Sequence, residues 1–202
     1  MKRPRSFGVV CLCSLGILLL LSQLVFFASC SREETVSRVY CDLPARFTYS
    51  PVSGISQLFS ACNSSGQWCT ITDNGKQFVF TYPTKPDGTP GNSNQVNRTA
   101  LNSYTGICMG LSGFILGLPN IPEPGEDFAV VTCYDLACRN CYEDRHILST
   151  LVLQTTGTAT CSKCQRTYNL NNQGIISRGD PGKSLYRYRV GYANNTITIK
   201  NP

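Results

Sequence analysis

Two Cys-x-x-Cys pairs carry the most specific chemistry in this sequence. Cys138-Arg139-Asn140-Cys141 and Cys161-Ser162-Lys163-Cys164 are separated by about twenty residues, a spacing suited to a four-thiolate metal site. The reason is geometric: a Cys-x-x-Cys turn can aim two sulfurs at one point about 2.3 Å away, and two such turns facing each other complete a tetrahedron. Such a set suits zinc, a mononuclear iron of rubredoxin type, or an all-cysteine iron–sulfur cluster such as 2Fe–2S. Zinc is slightly favoured on ligand chemistry, because it needs neither assembly machinery nor a redox partner. Two disulfides between the turns are the alternative if the compartment is oxidising.

The other chemistry-bearing residues are sparse. His146, the single histidine, lies between the knuckles and reads as a solvated loop residue, since four thiolates already close the site. Cys41, Cys62, Cys69, Cys108 and Cys133 remain in the mature part; Cys133 and Cys108 read as buried apolar thiols, and Cys62 and Cys69 flank a turn across which they could pair. No nucleophile–base pair and no Gly-rich phosphate loop is visible, so no catalytic residue is assigned and an enzyme acting by itself is not expected. Trp68, the only tryptophan, reads as a packing residue.

The elements that must position the knuckles are mostly strands. Val39–Tyr49 reads as extended, broken at Pro44. Val52–Cys62 is the one short helix, with Ile55, Leu58, Phe59 and Cys62 on one face and Ser53 as its cap. Gln67–Thr72 and Gln77–Tyr82 form a hairpin across Asp73-Asn74-Gly75. Pro83–Asn97 is a polar surface loop inside one domain. Ile107–Pro119 is apolar and studded with glycine. Phe128–Tyr134 and Leu148–Leu153 are buried-strand runs, and Ile147–Leu153 lets the knuckles lie on two loops joined by a hairpin. Gly174–Ser177, Leu185–Val190 and Thr196–Ile199 close the chain, with turns at Gly179–Gly182 and Ala193-Asn194-Asn195. The expected fold is all-β, an antiparallel sandwich or small barrel.

The order of residues around the second knuckle sharpens this. Cys161-Ser-Lys-Cys164 is followed by Tyr168, Gly174, the Gly179-Asp-Pro181-Gly turn, Leu185 and Tyr188. Upstream, Phe128-Ala-Val-Val-Thr-Cys-Tyr-Asp-Leu-Ala-Cys138 leads into the first knuckle. Over about residues 107–199 this resembles a Rieske domain, the iron–sulfur protein fold, with a rubredoxin-like metal-binding subdomain. The resemblance implies electron transfer and a docking surface at the loop tips, here Arg139, Asn140, Tyr142, Gln165 and Arg166. The departure lies in the ligands. A Rieske cluster uses two histidines; here Cys164 stands at the place of the second-loop histidine, and Asn140 at that of the first, with Cys141 one residue later. An all-thiolate cluster would have a much lower potential, because the extra negative charge favours the oxidised state.

The first thirty residues set the expected compartment. Lys2, Arg3 and Arg5 precede the uncharged run Val9–Phe27, a basic region followed by an apolar one. The run ends in Phe27-Ala28-Ser29-Cys30, which resembles the lipobox of bacterial lipoproteins; an uncleaved membrane span is the alternative, since roughly 18 apolar residues can cross a bilayer. Residues 1–29 are thus expected to be a signal peptide, Cys30 a lipid-attachment site, residues 30–38 a tether, and residues 39–202 one domain. Ser31-Arg32-Glu33-Glu34 resembles the surface-export signal of Bacteroidetes lipoproteins. The expected location is the bacterial cell envelope, at the outer membrane on its periplasmic or surface face. Removing Lys2, Arg3 and Arg5 lowers the formal charge from +6 to +3, and no basic run remains for nucleic acid. Two functions follow: envelope electron transfer with a redox partner, or a non-catalytic surface or binding module held together by structural zinc.

Overall fold

The computed structural model describes residues 40–99 and 106–201. The chain divides into Met1–Ser37 and Arg38–Pro202, and every described residue belongs to the second unit. The stretches expected to be a signal peptide, a lipid-attachment site at Cys30 and a tether all lie outside the described residues. Among the described residues, no helix is long and apolar enough to cross a membrane.

Among the described residues, fourteen strands form three sheets, and every strand pairing within them is antiparallel. In chain order they are β1 (Ala45–Tyr49), β2 (Gln67–Asp73), β3 (Gln77–Thr81), β4 (Ser93–Asn97), β5 (Cys108–Met109), β6 (Phe114–Leu118), β7 (Thr132–Asp135), β8 (Leu151–Gln154), β9 (Thr158–Cys161), β10 (Thr167–Asn169), β11 (Ile175–Arg178), β12 (Arg187–Tyr188), β13 (Val190–Ala193) and β14 (Thr196–Asn201). The large sheet runs β12-β7-β6-β2-β3-β4, and the two smaller ones run β13-β14-β1-β5 and β11-β10-β9-β8. The expected all-β antiparallel class is therefore the observed one.

The large sheet lies between two cores, and strand alternation explains why. Successive side chains of a strand point to opposite faces. Phe114 and Leu116 of β6 pack with Phe47, Phe78, Ile197 and Ile199, whereas Ile115 between them packs with Trp68, Tyr134, Leu151 and Tyr168. Cys133 and Tyr134 of β7 split in the same way. A sheet covered on both faces needs continuous apolar strands, and all of Phe114–Gly117 is buried. Gly117 has no room for a side chain: a Cβ there would collide with the Gln67 carbonyl oxygen and with Cδ2 and Cε3 of Trp68.

Several elements differ from the sequence reading, each for a physical reason. The described residues hold two α-helices, not one: α1 (Ser56–Asn63), preceded by a 3-10 turn at Val52–Gly54, and α2 (Arg139–Arg145). On α1, Leu58, Ala61 and Cys62 face the core, while Phe59 is 46% exposed. A two-turn helix buries one narrow stripe, and Phe59 lies about 100° round from Leu58. Ser53 makes no capping bond, and Ile55 holds the N-cap position. β4 lies inside the stretch read as a loop. It pairs with β3 over five residues, yet only Val96 is even half-buried, so an edge strand held by backbone bonds showed no apolar pattern. Conversely, the apolar run from Phe128 is strand only from Thr132. Phe128 is 80% exposed, because ladder partners on β6 and β12 begin at Thr132 and Cys133. Leu148 is likewise exposed, and β8 starts at Leu151.

The turns follow the sequence more closely. At the β2–β3 hairpin, Asp73 Oδ1 accepts from the Gly75 N–H, and Asn74 Oδ1 accepts from the Lys76 and Gln77 N–H groups. Asn194 and Asn195 both adopt positive φ, 50° and 58°, the backbone a tight two-residue hairpin demands.

Candidate metal centre

The two knuckles come from different kinds of element. Cys138 is the N-cap of α2, and Cys141 sits in its first turn. The Cys138 N–H donates to the Ser149 carbonyl at 2.8 Å, which ties the helix start to the strand entering the second sheet. Cys161 ends β9, and Cys164 lies in the β9–β10 turn. That turn is closed by Gln165 N–H to Cys161 O and Cys161 N–H to Arg166 O, both 2.9 Å, with Gln165 at φ 59°. The expected pair of loops is thus a helix N-terminus facing a hairpin tip.

The four sulfurs converge. All lie within 4.8 Å of one another; Cys138 Sγ is 3.6 Å from Cys164 Sγ, and Cys141 Sγ is 3.7 Å from Cys161 Sγ. A tetrahedron of sulfurs about 2.3 Å from one ion has edges of about 3.8 Å. A disulfide needs about 2.05 Å, so neither pair is bonded, and all nine described cysteines are free thiols. Cys62 and Cys69 are therefore unpaired with each other. The donor set fits a single ion with four protein ligands and no open position. Cys138, Cys141 and Cys161 are buried in the second core, and Cys164 is half-buried.

Hydroxyl groups support the sulfurs. Tyr168 Oη lies 3.2 Å from Cys138 Sγ, and Ser149 Oγ lies 3.3 Å from Cys161 Sγ. A metal-bound thiolate only accepts, so both hydroxyls would donate to it. Burial raises the Tyr168 pKa, which keeps its proton available. Burial also raises the thiol pKa values of Cys138 and Cys141. It acts on Cys161 too, but there hydrogen bonds from Ser149, from the Cys164 and Lys163 backbone and from Cys141 outweigh it and bring the thiol down to about 6. The charge of an ion held here would draw the protons from the thiols.

Asn140 is a correction to the expected docking rim. It is 4% exposed. Its Nδ2 donates to Tyr168 Oη (2.9 Å) and to the Lys183 carbonyl (2.7 Å), and its Oδ1 accepts from the Lys183 N–H (2.9 Å). Asn140 thus fastens the Gly179–Gly182 turn over the centre and orients Tyr168. Arg139 is engaged as well, pairing with Glu143 at 2.8 Å and lying 4.8 Å from the Tyr186 ring centroid. Arg166 donates to the Asp180 and Pro181 carbonyls. Tyr142 is half-buried, Gln165 is exposed, and His146 is an exposed residue in left-handed conformation that ends α2.

Two supporting residues escaped the sequence reading. Ser149 gives no signal in sequence. Asp135 does, as a carboxylate inside an apolar run. It is fully buried and accepts from the Ala137 N–H at 2.6 Å, the Leu111 N–H at 2.8 Å and Tyr188 Oη at 2.5 Å. It therefore sets the chain direction immediately before Cys138. Compared with known proteins, the chain matches no family model and no curated protein.

Proposed function

We propose that this chain is a non-catalytic module of the bacterial envelope, carried on a lipid anchor at Cys30 and held together by one tetrathiolate ion at Cys138, Cys141, Cys161 and Cys164. The observation that carries the reading is the closed donor set: four sulfurs within 4.8 Å, three of them buried among Trp68, Tyr134 and Tyr168. Two metal ions would spread the ligand pairs beyond the span of a single ion. A closed site of this kind is structural, and its binding energy is folding energy. On this reading the ion is zinc, and the role is to hold α2 against the β9–β10 hairpin. The partners are the membrane and a surface protein, and nucleic acid has no part.

A second reading rests on a separate observation. Cys164 is the half-buried ligand, and Tyr168 and Ser149 contact two of the other sulfurs. With iron in the site, that edge would be the electron exit of a Rieske-like envelope carrier, and the hydroxyl donors would raise its potential by stabilising the reduced, more negative centre. The four-stranded sheet carrying the β9–β10 knuckle, with the Gly-Pro turn packed over it, supports a Rieske-like fold for residues 107–199.

Metal analysis with a visible absorption spectrum on the full chain, purified without oxygen, separates the readings. One zinc per chain and no colour supports the structural module. One iron with thiolate-to-iron charge-transfer bands replaces it with the redox carrier. A metal-free, folded chain refutes both.

A further inference from the structure

The loop between β6 and β7, residues 119–131, carries apolar side chains that neither core uses. Ile121, Phe128 and Val130 are 60%, 80% and 53% exposed, and none of them belongs to either core. The same loop walls a cavity of about 540 Å³ with Val130 and Val131, and Tyr40, Arg187 and Tyr192 form other parts of its lining. Phe59, exposed on α1, stands one turn before Asn63, whose Nδ2 donates to Tyr192 Oη at 3.1 Å. Four of the seven large apolar residues exposed among the described ones therefore lie on this loop or beside a wall of this cavity. Single exposed apolar residues are ordinary, but a group of them marks an interaction surface.

Where the chain enters the domain decides what this surface meets. Tyr40 is the first described residue, and it stands at the cavity. Arg187 ties it to the loop: Arg187 Nη1 pairs with Glu123 Oε1 at 2.6 Å, and its guanidinium lies 5.5 Å from the Tyr40 ring centroid. The exposed Arg189 lies 5.0 Å from the same ring. Tyr40 follows Cys30 by ten residues, a reach of at most about 35 Å. A relaxed tether of that length covers about 17 Å, less than half the roughly 40 Å across a compact domain of this size. An anchor at Cys30 would thus keep the face around Tyr40 beside the bilayer.

We propose that Ile121, Phe128, Val130 and Phe59 rest on the lipid bilayer that holds Cys30; the inference rests on the lipid anchor of the proposed function and is independent of the metal. The tether supplies a local concentration in about the millimolar range, so a shallow apolar contact suffices where the same side chains on an unanchored domain would not hold. Tyr40 and Arg189 at the edge of the contact suit the headgroup level, where aromatic rings and snorkelling arginines settle. Glu126 and Asp127 are exposed beside Phe128 and would be repelled by an anionic surface. The fitting lipid is therefore zwitterionic.

The full chain, made in a bacterial host and purified in detergent, is reconstituted into phosphatidylcholine vesicles with or without bromine on the acyl chains. Bromine quenches an indole only at contact range. Phe128→Trp puts a reporter at the most exposed apolar position, where the change should keep the fold, and the buried Trp68 adds a constant background. The emission of Phe128→Trp above that of wild type is expected to shift to the blue on plain vesicles and to be largely lost on brominated ones. Val152→Trp, exposed on the metal-bearing sheet, should keep its emission on both. If the chain floats with the vesicles and Phe128→Trp is not quenched, the contact is overturned while the anchor stands, and that face is left to a protein partner. Equal quenching of the two reporters also overturns it, because the bilayer then meets no particular face. A chain that does not float with the vesicles overturns the anchor, and the contact falls with it.

Discussion

Asp135→Asn tests how the centre is positioned. Three donors meet the Asp135 carboxylate: Ala137 N–H on Oδ1, and Leu111 N–H and Tyr188 O–H on Oδ2. Asparagine replaces one oxygen with an NH₂ that can only donate. Turned toward Leu111 and Tyr188, that NH₂ would oppose the Leu111 N–H and take away the acceptor of the Tyr188 O–H; turned toward Ala137, it opposes one N–H. The second orientation costs less. It loses one charge-assisted bond and leaves one buried N–H unpaired, worth about 1–3 kcal/mol, and it weakens the other two bonds by removing the charge. Burial raises the Asp135 pKa, so the neutral amide recovers part of the desolvation cost. The expected loss is about 2–4 kcal/mol, a large part of the roughly 5–15 kcal/mol that holds a domain together. Urea unfolding at fixed excess metal should show a lower midpoint with an unchanged slope. Asp135→Ala orphans all three donors, at about 3–9 kcal/mol, and is expected to prevent stable folding. A loss below about 1 kcal/mol for Asp135→Asn would refute the claim that this carboxylate fixes the approach to Cys138.

Three further outcomes are expected. Cys164→Ser should drop metal content from one ion per chain to near zero by elemental analysis and loosen the second core; a stable, fully loaded variant would sink the four-ligand site. Gly117→Ala should cost about 1–3 kcal/mol by overpacking, seen as a lower melting temperature with a shift in Trp68 emission, because the new methyl meets the indole and the Gln67 carbonyl. Glu143 supplies a pH signature. Burial would raise its pKa, but Lys183, Tyr186 and Arg139 outweigh this and hold it at about 2. A carboxylate depressed in the folded state adds stability above its unfolded value, near 4.5, and loses it as pH falls toward 2. The melting-temperature advantage of wild type over Glu143→Gln should therefore be full at about pH 6 and shrink by about pH 3; an advantage unchanged between them would refute the network.

The sequence alone determined the parts of this protein that depend on local chemistry. The four clustered cysteines were legible because two Cys-x-x-Cys turns are local geometry, and a fold that brings them together makes the same cluster. The β2–β3 hairpin and the Asn194-Asn195 turn were legible because Asp, Asn and Gly impose particular backbone angles. The all-β class followed from short apolar runs between frequent turns. Tertiary structure decided what depends on who lies opposite. β4 is a strand only because β3 offers it a ladder, and Phe128 is exposed only because none is offered there. Asn140 looks like a polar tip residue in sequence, and it becomes a buried brace when the Gly179–Gly182 turn folds over it from about forty residues away. Ser149 and Tyr168 reach their sulfurs by the same long-range packing, which no local pattern of residues encodes.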